Sequence, residues 1–142
     1  MATVQRLLEM KTKGFWTVDP DTTAFEALKI MAEADVGALL VVRGHSLLGI
    51  FTERDYSRKV ILRGRSSKET TVGELMTESV FCVTPGDTIE HCMDVMNSMH
   101  VRHLPVLEDG QVRGLVSIRD VVNMIIAARE STIRDLEQYI SS

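Results

Sequence analysis

The sequence predicts an α+β chain of two pseudo-twofold-related β-α-β-β-α repeats, with a short N-terminal segment and a long C-terminal helix. Three observations predict it: an ungapped internal repeat, a helix-capping pattern at the same place in each copy, and paired apolar strands split by turn residues. Laying Val18 on Val83 also superimposes Pro20 on Pro85, Thr23 on Thr88, Met31 on Met96, Val36 on Val101 and Leu39 on Leu104. In the same register Val41 falls on Val106, Gly49 on Gly114, Arg54 on Arg119 and Asp55 on Asp120.

Residues 1–14 form the N-terminal segment. Its Leu7 and Leu8 are interrupted by Glu9, and it lacks the apolar stretch and small-residue cleavage site of a secretory signal, so it reads as a mature cytoplasmic start. The first repeat, 15–63, opens with an extended piece from Phe15 to Val18. Pro20 ends it, because proline has no N–H for a ladder. Thr23 to Glu26 is a capping-box pattern, and Leu28, Met31 and Ala32 mark the apolar face of the helix that follows. Strands Leu39 to Val42 and Leu47 to Phe51 then turn at Gly44, and Thr52 starts another helix.

A linker and short helix occupy 64–76. The stretch Arg63 to Thr70 reads as solvated, and Thr71 with Glu74 caps a helix through Met76. The second repeat, 77–126, runs through Phe81 to Val83, a cap from Asp87 to Glu90, a helix with Met93, Met96 and Met99 on its apolar face, and strands Leu104 to Leu107 and Val112 to Val116 around Asp109-Gly110. Residues 127–142 extend the last helix, with Val122, Ile126, Arg129, Ile133, Leu136 and Ile140 at near-helical spacing. That stripe either folds back on Val4, Leu7 and Leu8 or meets its equivalent in a second chain.

Composition narrows the function. The 142 residues are 44% hydrophobic and 25% charged, an ordinary globular balance. Lys and Arg number 16 against 20 Asp and Glu, a net charge of -4 that argues against nucleic acid as the main partner. Apolar runs such as Val36 to Val42 fall far short of a bilayer span, so no membrane partner is expected. Cys82 and Cys92 form no C-x-x-C and no zinc-finger spacing, which fits a reducing compartment and leaves buried or redox-active thiols open. His100 and His103 make an H-x-x-H without a carboxylate cluster, so no metal is expected. No phosphate-binding glycine loop, nucleophile elbow or paired-acid set is present, and no enzyme is expected.

The motif Gly-apolar-apolar-Thr/Ser-x-x-Asp occurs as Gly49-Ile50-Phe51-Thr52-Glu53-Arg54-Asp55 and again as Gly114-Leu115-Val116-Ser117-Ile118-Arg119-Asp120. With Val101 to Leu107 (VRHLPVL), it resembles the tandem cystathionine-β-synthase (CBS) domain pair, or Bateman module, over roughly Phe15 to Ile126. Small stand-alone members carry stretches similar to Thr52 to Tyr56 and Arg63 to Lys68. Taken alone, a Thr-x-x-Asp is simply a helix cap.

The resemblance implies adenine-nucleotide binding in two composite clefts between the repeats. One would join Thr52, Arg54, Asp55 and Arg58 to Cys82, Val83, Val101, Arg102 and His103; the other would join Ser117, Arg119 and Asp120 to Thr17, Val18, Val36, Gly37 and Ala38. Each Asp would accept from the 2′- and 3′-hydroxyls of a ribose, and each helix start would favour phosphate. Arg102 and His103 superimpose on Gly37 and Ala38, so the Asp55 cleft is expected to take more phosphate (ADP, ATP or NAD(H)) and the Asp120 cleft a smaller ligand such as AMP. The other reading leaves Arg58 and Arg102 as solvated surface residues. Trp16 is read as packing. The whole is expected to be a non-enzymatic sensor, a homodimer signalling to an effector protein, or else a structural subunit with vestigial clefts.

Overall fold

The computed structural model describes residues 2–141. Helix α1 (Val4–Met10) is capped by Thr3, whose hydroxyl accepts from the Arg6 N–H. The first repeat follows as β1 (Thr17–Val18), α2 (Ala24–Ala34), β2 (Ala38–Arg43), β3 (Ser46–Thr52) and α3 (Glu53–Tyr56), which runs on as a π-helical turn over Ser57–Ile61. A short helix, α4 (Val72–Leu75), leads to the second repeat of α5 (Ile89–Met99), β4 (His103–Glu108), β5 (Gln111–Ser117) and α6 (Ile118–Ser141). The two β-α-β-β-α repeats are therefore present, flanked by a short N-terminal helix and a long C-terminal one.

The two hairpins match residue for residue. In the first, β1 runs parallel to β2 with Thr17 opposite Leu40, and β2 pairs antiparallel with β3 with Ala38 opposite Thr52. In the second, His103 of β4 lies opposite Ser117 of β5, and the leading strand is reduced to one parallel bridge between Val83 and Val106. Gly44, Asp109 and Gly110 turn the hairpins at positive φ (62°, 52° and 77°), where glycine is tolerated at no steric cost.

Three local expectations need correction. The α5 cap is Thr88, which accepts from the His91 N–H; Asp87 is one residue too early, and its carboxylate instead accepts from the Thr84 N–H at 2.7 Å. The buried faces are Ala24, Ala27 and Met31 on α2 and Ile89, Cys92 and Met96 on α5, whereas Ala32 and Met99 point to solvent. Finally, the stretch between the repeats is only partly solvated. The Ser67 and Thr70 carbonyls accept from the Phe25 and Ala24 N–H groups, both at 2.9 Å, and so satisfy donors that the start of α2 leaves free.

The short helices are exchanged between the repeats. Val72 and Leu75 of α4 are buried in the core of the first repeat with Ala24, Met31, Val41 and Phe51. Val4 and Leu7 of α1 are buried in the core of the second, with Ile89, Met96, Val116 and Val121. Their backbone bonds correspond: Val72 N–H to the Thr22 carbonyl matches Val4 N–H to that of Asp87, and Gly73 to Pro20 matches Gln5 to Pro85. Each buried Val or Leu contributes about 1.5–3 kcal/mol. A third cluster, Ala38, Leu40, Ile50 and Leu115, joins the repeats where β3 packs on β5.

Candidate site between the repeats

Asp35 and His100 end α2 and α5 in the left-handed region, φ 55° in each. Of the residues that follow these turns, Val36, Gly37 and Arg102 line the groove between the repeats. Gly37 and Arg102 then supply the carbonyls that accept the Glu53 and Ile118 N–H groups at the starts of α3 and α6. The loop of each repeat is thereby tied to the Thr/Ser-x-x-Asp turn of the same repeat.

Asp55 is a closed site. One carboxylate oxygen, Oδ2, accepts from the Thr52 N–H (3.0 Å) and the Thr52 hydroxyl (3.1 Å), completing a capping box. The other, Oδ1, accepts from Thr77 Oγ1 at 3.4 Å and lies 3.2 Å from Lys59 Nζ. Lys59 also donates to the Leu75 carbonyl at 2.8 Å. With both oxygens occupied and the side chain 11% exposed, Asp55 joins α3 to the α4 segment.

Asp120 is arranged differently. Its Oδ2 accepts from the Ser117 N–H at 2.9 Å and pairs with Lys11 Nζ at 2.8 Å, while Oδ1 has no hydrogen-bond or ion-pair partner among the described residues. Its side chain is 20% exposed and lines a cavity of about 640 Å³. That volume lies within the range of small-molecule sites, roughly 300–1,000 Å³. Lys11, Lys13, Arg102 and Arg119 contribute four cationic side chains to the wall, against two carboxylates, Asp35 and Asp120. Lys13 is held by Asp35, donating to its carbonyl at 2.7 Å. The guanidinium groups of Arg102 and Arg119 have no partner among the described residues.

The expected residues are distributed unequally between the clefts. Ser117, Arg119, Asp120, Val36, Gly37 and Ala38 meet in the one cavity, as grouped from the sequence. Arg102 and His103, expected beside Asp55, line this same cavity. The loops of both repeats converge here, and superposition of the repeats could not reveal which groove they face. Among the described lining residues, Trp16 stands where Thr17 and Val18 were expected; Val18 is buried in the first core. Arg54 and Arg58 are exposed, Cys82 is exposed, and Val83 is committed to the second core with Val101 packed against it.

Lys11, Lys13 and Phe15 are cavity residues that sequence reasoning missed. The signal was the basic Lys11-Thr12-Lys13-Gly14 run directly before the first strand. Burial holds the His103 imidazole below its ordinary pKa; Lys11 and Arg102 act in the same direction, and Asp120 opposes them. A neutral His103 offers the cavity one donor and one acceptor. Cys92 is buried, and desolvation lifts its thiol pKa to about 11, so it serves as packing rather than as a nucleophile. Among the described residues no His, Cys, Asp and Glu group is arranged to hold a metal, and no helix is long and apolar enough to cross a membrane.

Paired repeats, duplicated Thr/Ser-x-x-Asp turns and a groove between them define a tandem regulatory module. The chain belongs to the CBS domain family, whose model matches residues 7–61 and 72–127. It is 41% identical to the mitochondrial CBS domain-containing protein CBSX3 of Arabidopsis thaliana, over 92% of this chain and 69% of that one. A longer Arabidopsis relative, CBSCBSPB5, is 36% identical, and the match covers 92% of this chain but 24% of the relative. Among solved structures, a CBS-domain protein of Burkholderia ambifaria superimposes with a TM-score of 0.85 at 46% identity, covering 89% of this chain and 95% of that one. The Agrobacterium tumefaciens protein ATU1752 gives 0.81 at 35%, covering 87% and 98%. CBS pairs are regulatory rather than catalytic modules, and this chain is one of them.

Proposed function

We propose that the chain is an adenine-nucleotide sensor that binds one ligand of the AMP, ADP, ATP or NAD(H) type in the Asp120 cavity. The observation that carries this reading is the pairing of an open carboxylate oxygen with a cation-rich wall. Asp120 Oδ1 is free to accept from a ribose cis-diol, and the guanidinium groups of Arg102 and Arg119 are available to phosphate. Trp16, Phe15 and Val36 supply apolar surface for a base. The Asp55 side keeps a structural role, because its carboxylate is already saturated. In this reading two copies form a homodimer, the ligand biases its shape, and an effector protein in the cytoplasm reads the change.

The test is calorimetric titration of AMP, ADP, ATP and NADH into wild type, Asp120→Ala and Asp55→Ala. Loss of a charged hydrogen-bond partner predicts about ten- to a hundredfold weaker binding for Asp120→Ala. Asp55→Ala is expected to bind as wild type does. No heat and no melting shift with any of the four ligands would leave the structural-subunit reading in its place.

A further inference from the structure

Lys11 holds two acceptors at once, Asp120 Oδ2 and the Leu115 carbonyl, each at 2.8 Å. Because Oδ2 also accepts from the Ser117 N–H, one oxygen of this carboxylate carries two donors while the other carries none among the described residues. Comparison of the repeats shows how this arises. Asp55 draws its counter-ion from its own helix, Lys59 one turn on, and the position of Lys59 in the second repeat is occupied by Met124. With no cation at that place, Asp120 takes one from the residue that ends α1. The Ile50 carbonyl, likewise, accepts from the Thr77 N–H at 2.9 Å, whereas its counterpart in Leu115 accepts from Lys11. One ammonium thus fills two places that the first repeat fills with separate groups.

A ribose cis-diol grips a carboxylate best with one hydroxyl on each oxygen. Oδ1 is ready for the first. Oδ2 is full, since a carboxylate oxygen offers two lone pairs and both are taken. A ligand that sets its second hydroxyl on Oδ2 must therefore move Lys11 aside. The displaced ammonium belongs to a side chain only 19% exposed, and a partly buried charge left without a partner is strongly disfavoured. Adenosine brings nothing to replace the lost carboxylate. AMP does, because its 5′-phosphate is carried on the same ribose and Lys11 swings on a flexible four-carbon stem.

We infer that Lys11 sets the specificity of the Asp120 cavity: it is a latch that yields both carboxylate oxygens to a ribose only when a phosphate on the ligand gives the lysine a second anion. The inference rests on the nucleotide reading above and adds to it the rule by which nucleosides are refused. Arg102 and Arg119 do not impose that rule. Neither guanidinium pairs with Asp120, so each adds to phosphate affinity without opposing the ribose.

Calorimetry of the full chain tests it. Adenosine and the tightest-binding of AMP, ADP, ATP and NADH are titrated into wild type and Lys11→Met, in which the stem is kept and the charge removed. Wild type is expected to prefer the nucleotide. In Lys11→Met adenosine should bind about 10-fold tighter, because Oδ2 is open from the start, a gain that misfolding cannot mimic. The nucleotide should change far less, since the lysine it no longer displaces is the lysine its phosphate no longer meets. Adenosine that binds no tighter to Lys11→Met overturns the latch and keeps the nucleotide site; if the nucleotide alone weakens, Lys11 is an ordinary phosphate contact. A wild type that binds adenosine as well as the nucleotide also overturns the latch. A wild type that binds none of the four nucleotides overturns the nucleotide reading, and the latch with it.

Discussion

Lys11 Nζ lies 2.8 Å from Asp120 Oδ2 and, at the same distance, donates to the Leu115 carbonyl. A lysine just past the first helix is thus the counter-ion of a carboxylate in the first turn of the last one. Both side chains are about one-fifth exposed, so the pair is partly shielded from water. A double-mutant cycle with Lys11→Met and Asp120→Asn, followed by urea unfolding, should give a coupling of about 1–2 kcal/mol. Additive losses would show that the two groups do not support one another.

The imidazole of His103 provides a pH prediction. Its folded-state pKa is depressed, chiefly by burial, with Lys11 and Arg102 adding to the effect against Asp120. The unfolded chain therefore binds the His103 proton more readily. The stability this position contributes is complete above the unfolded value, about 6.5, and is lost as pH falls below it. Glu74, held below its ordinary pKa by the Thr71 N–H and hydroxyl, also loses stabilisation in acid, but it does so in every His103 variant. Urea midpoints of wild type and His103→Gln should run parallel from pH 8 to 7, and the wild type should fall faster from pH 6.5 to 5. Parallel curves throughout would refute the assignment.

Gly49 and Gly114 are equivalent by repeat, yet they are expected to respond differently to alanine. A Cβ at Gly49 would lie 2.6 Å from the Thr77 carbonyl oxygen and 2.8 Å from Met76 Sδ. The Thr77 backbone cannot withdraw without breaking its paired bonds to Ile50. At Gly114 the nearest atom is Leu8 Cδ2 at 2.7 Å, the end of a flexible side chain. Gly49→Ala should cost about 2–3 kcal/mol and Gly114→Ala about 1 kcal/mol in thermal or urea unfolding. Equal costs would mean that Leu8 is held as rigidly as a strand.

Much of this arrangement was legible before any coordinates. The register that lays Val18 on Val83 predicts both hairpins and both Thr/Ser-x-x-Asp turns, because local sequence dictates them. The family resemblance grouped Ser117 and Asp120 with Val36, Gly37 and Ala38. The exchange of α1 and α4 was not found, because their equivalence lies three residues out of that register. Laying Thr3 on Thr71 matches Val4 with Val72 and Leu7 with Leu75, too few identities to notice across a shifted linker. Lys11 is remote from Asp120 along the chain, and no local pattern announces a contact of that kind. Repeat symmetry likewise relates the Val36-Gly37 and Val101-Arg102 loops without saying which wall each builds, and Arg102 and His103 line the Asp120 cavity.

The exchanged helices also impose an order of assembly. Residues 15–76 hold every part of the first core, including α4, so this half can close while the rest of the chain is still being made. α1 emerges first but finds Asp87, Val116 and Val121 only when α6 has begun. Until then its apolar face has no partner, and the Lys11 wall of the cavity does not exist. Closing that long loop carries an entropic cost that the local contacts of the first core do not. The cavity is thus completed only when α1 packs on the second core and brings Lys11 against Asp120.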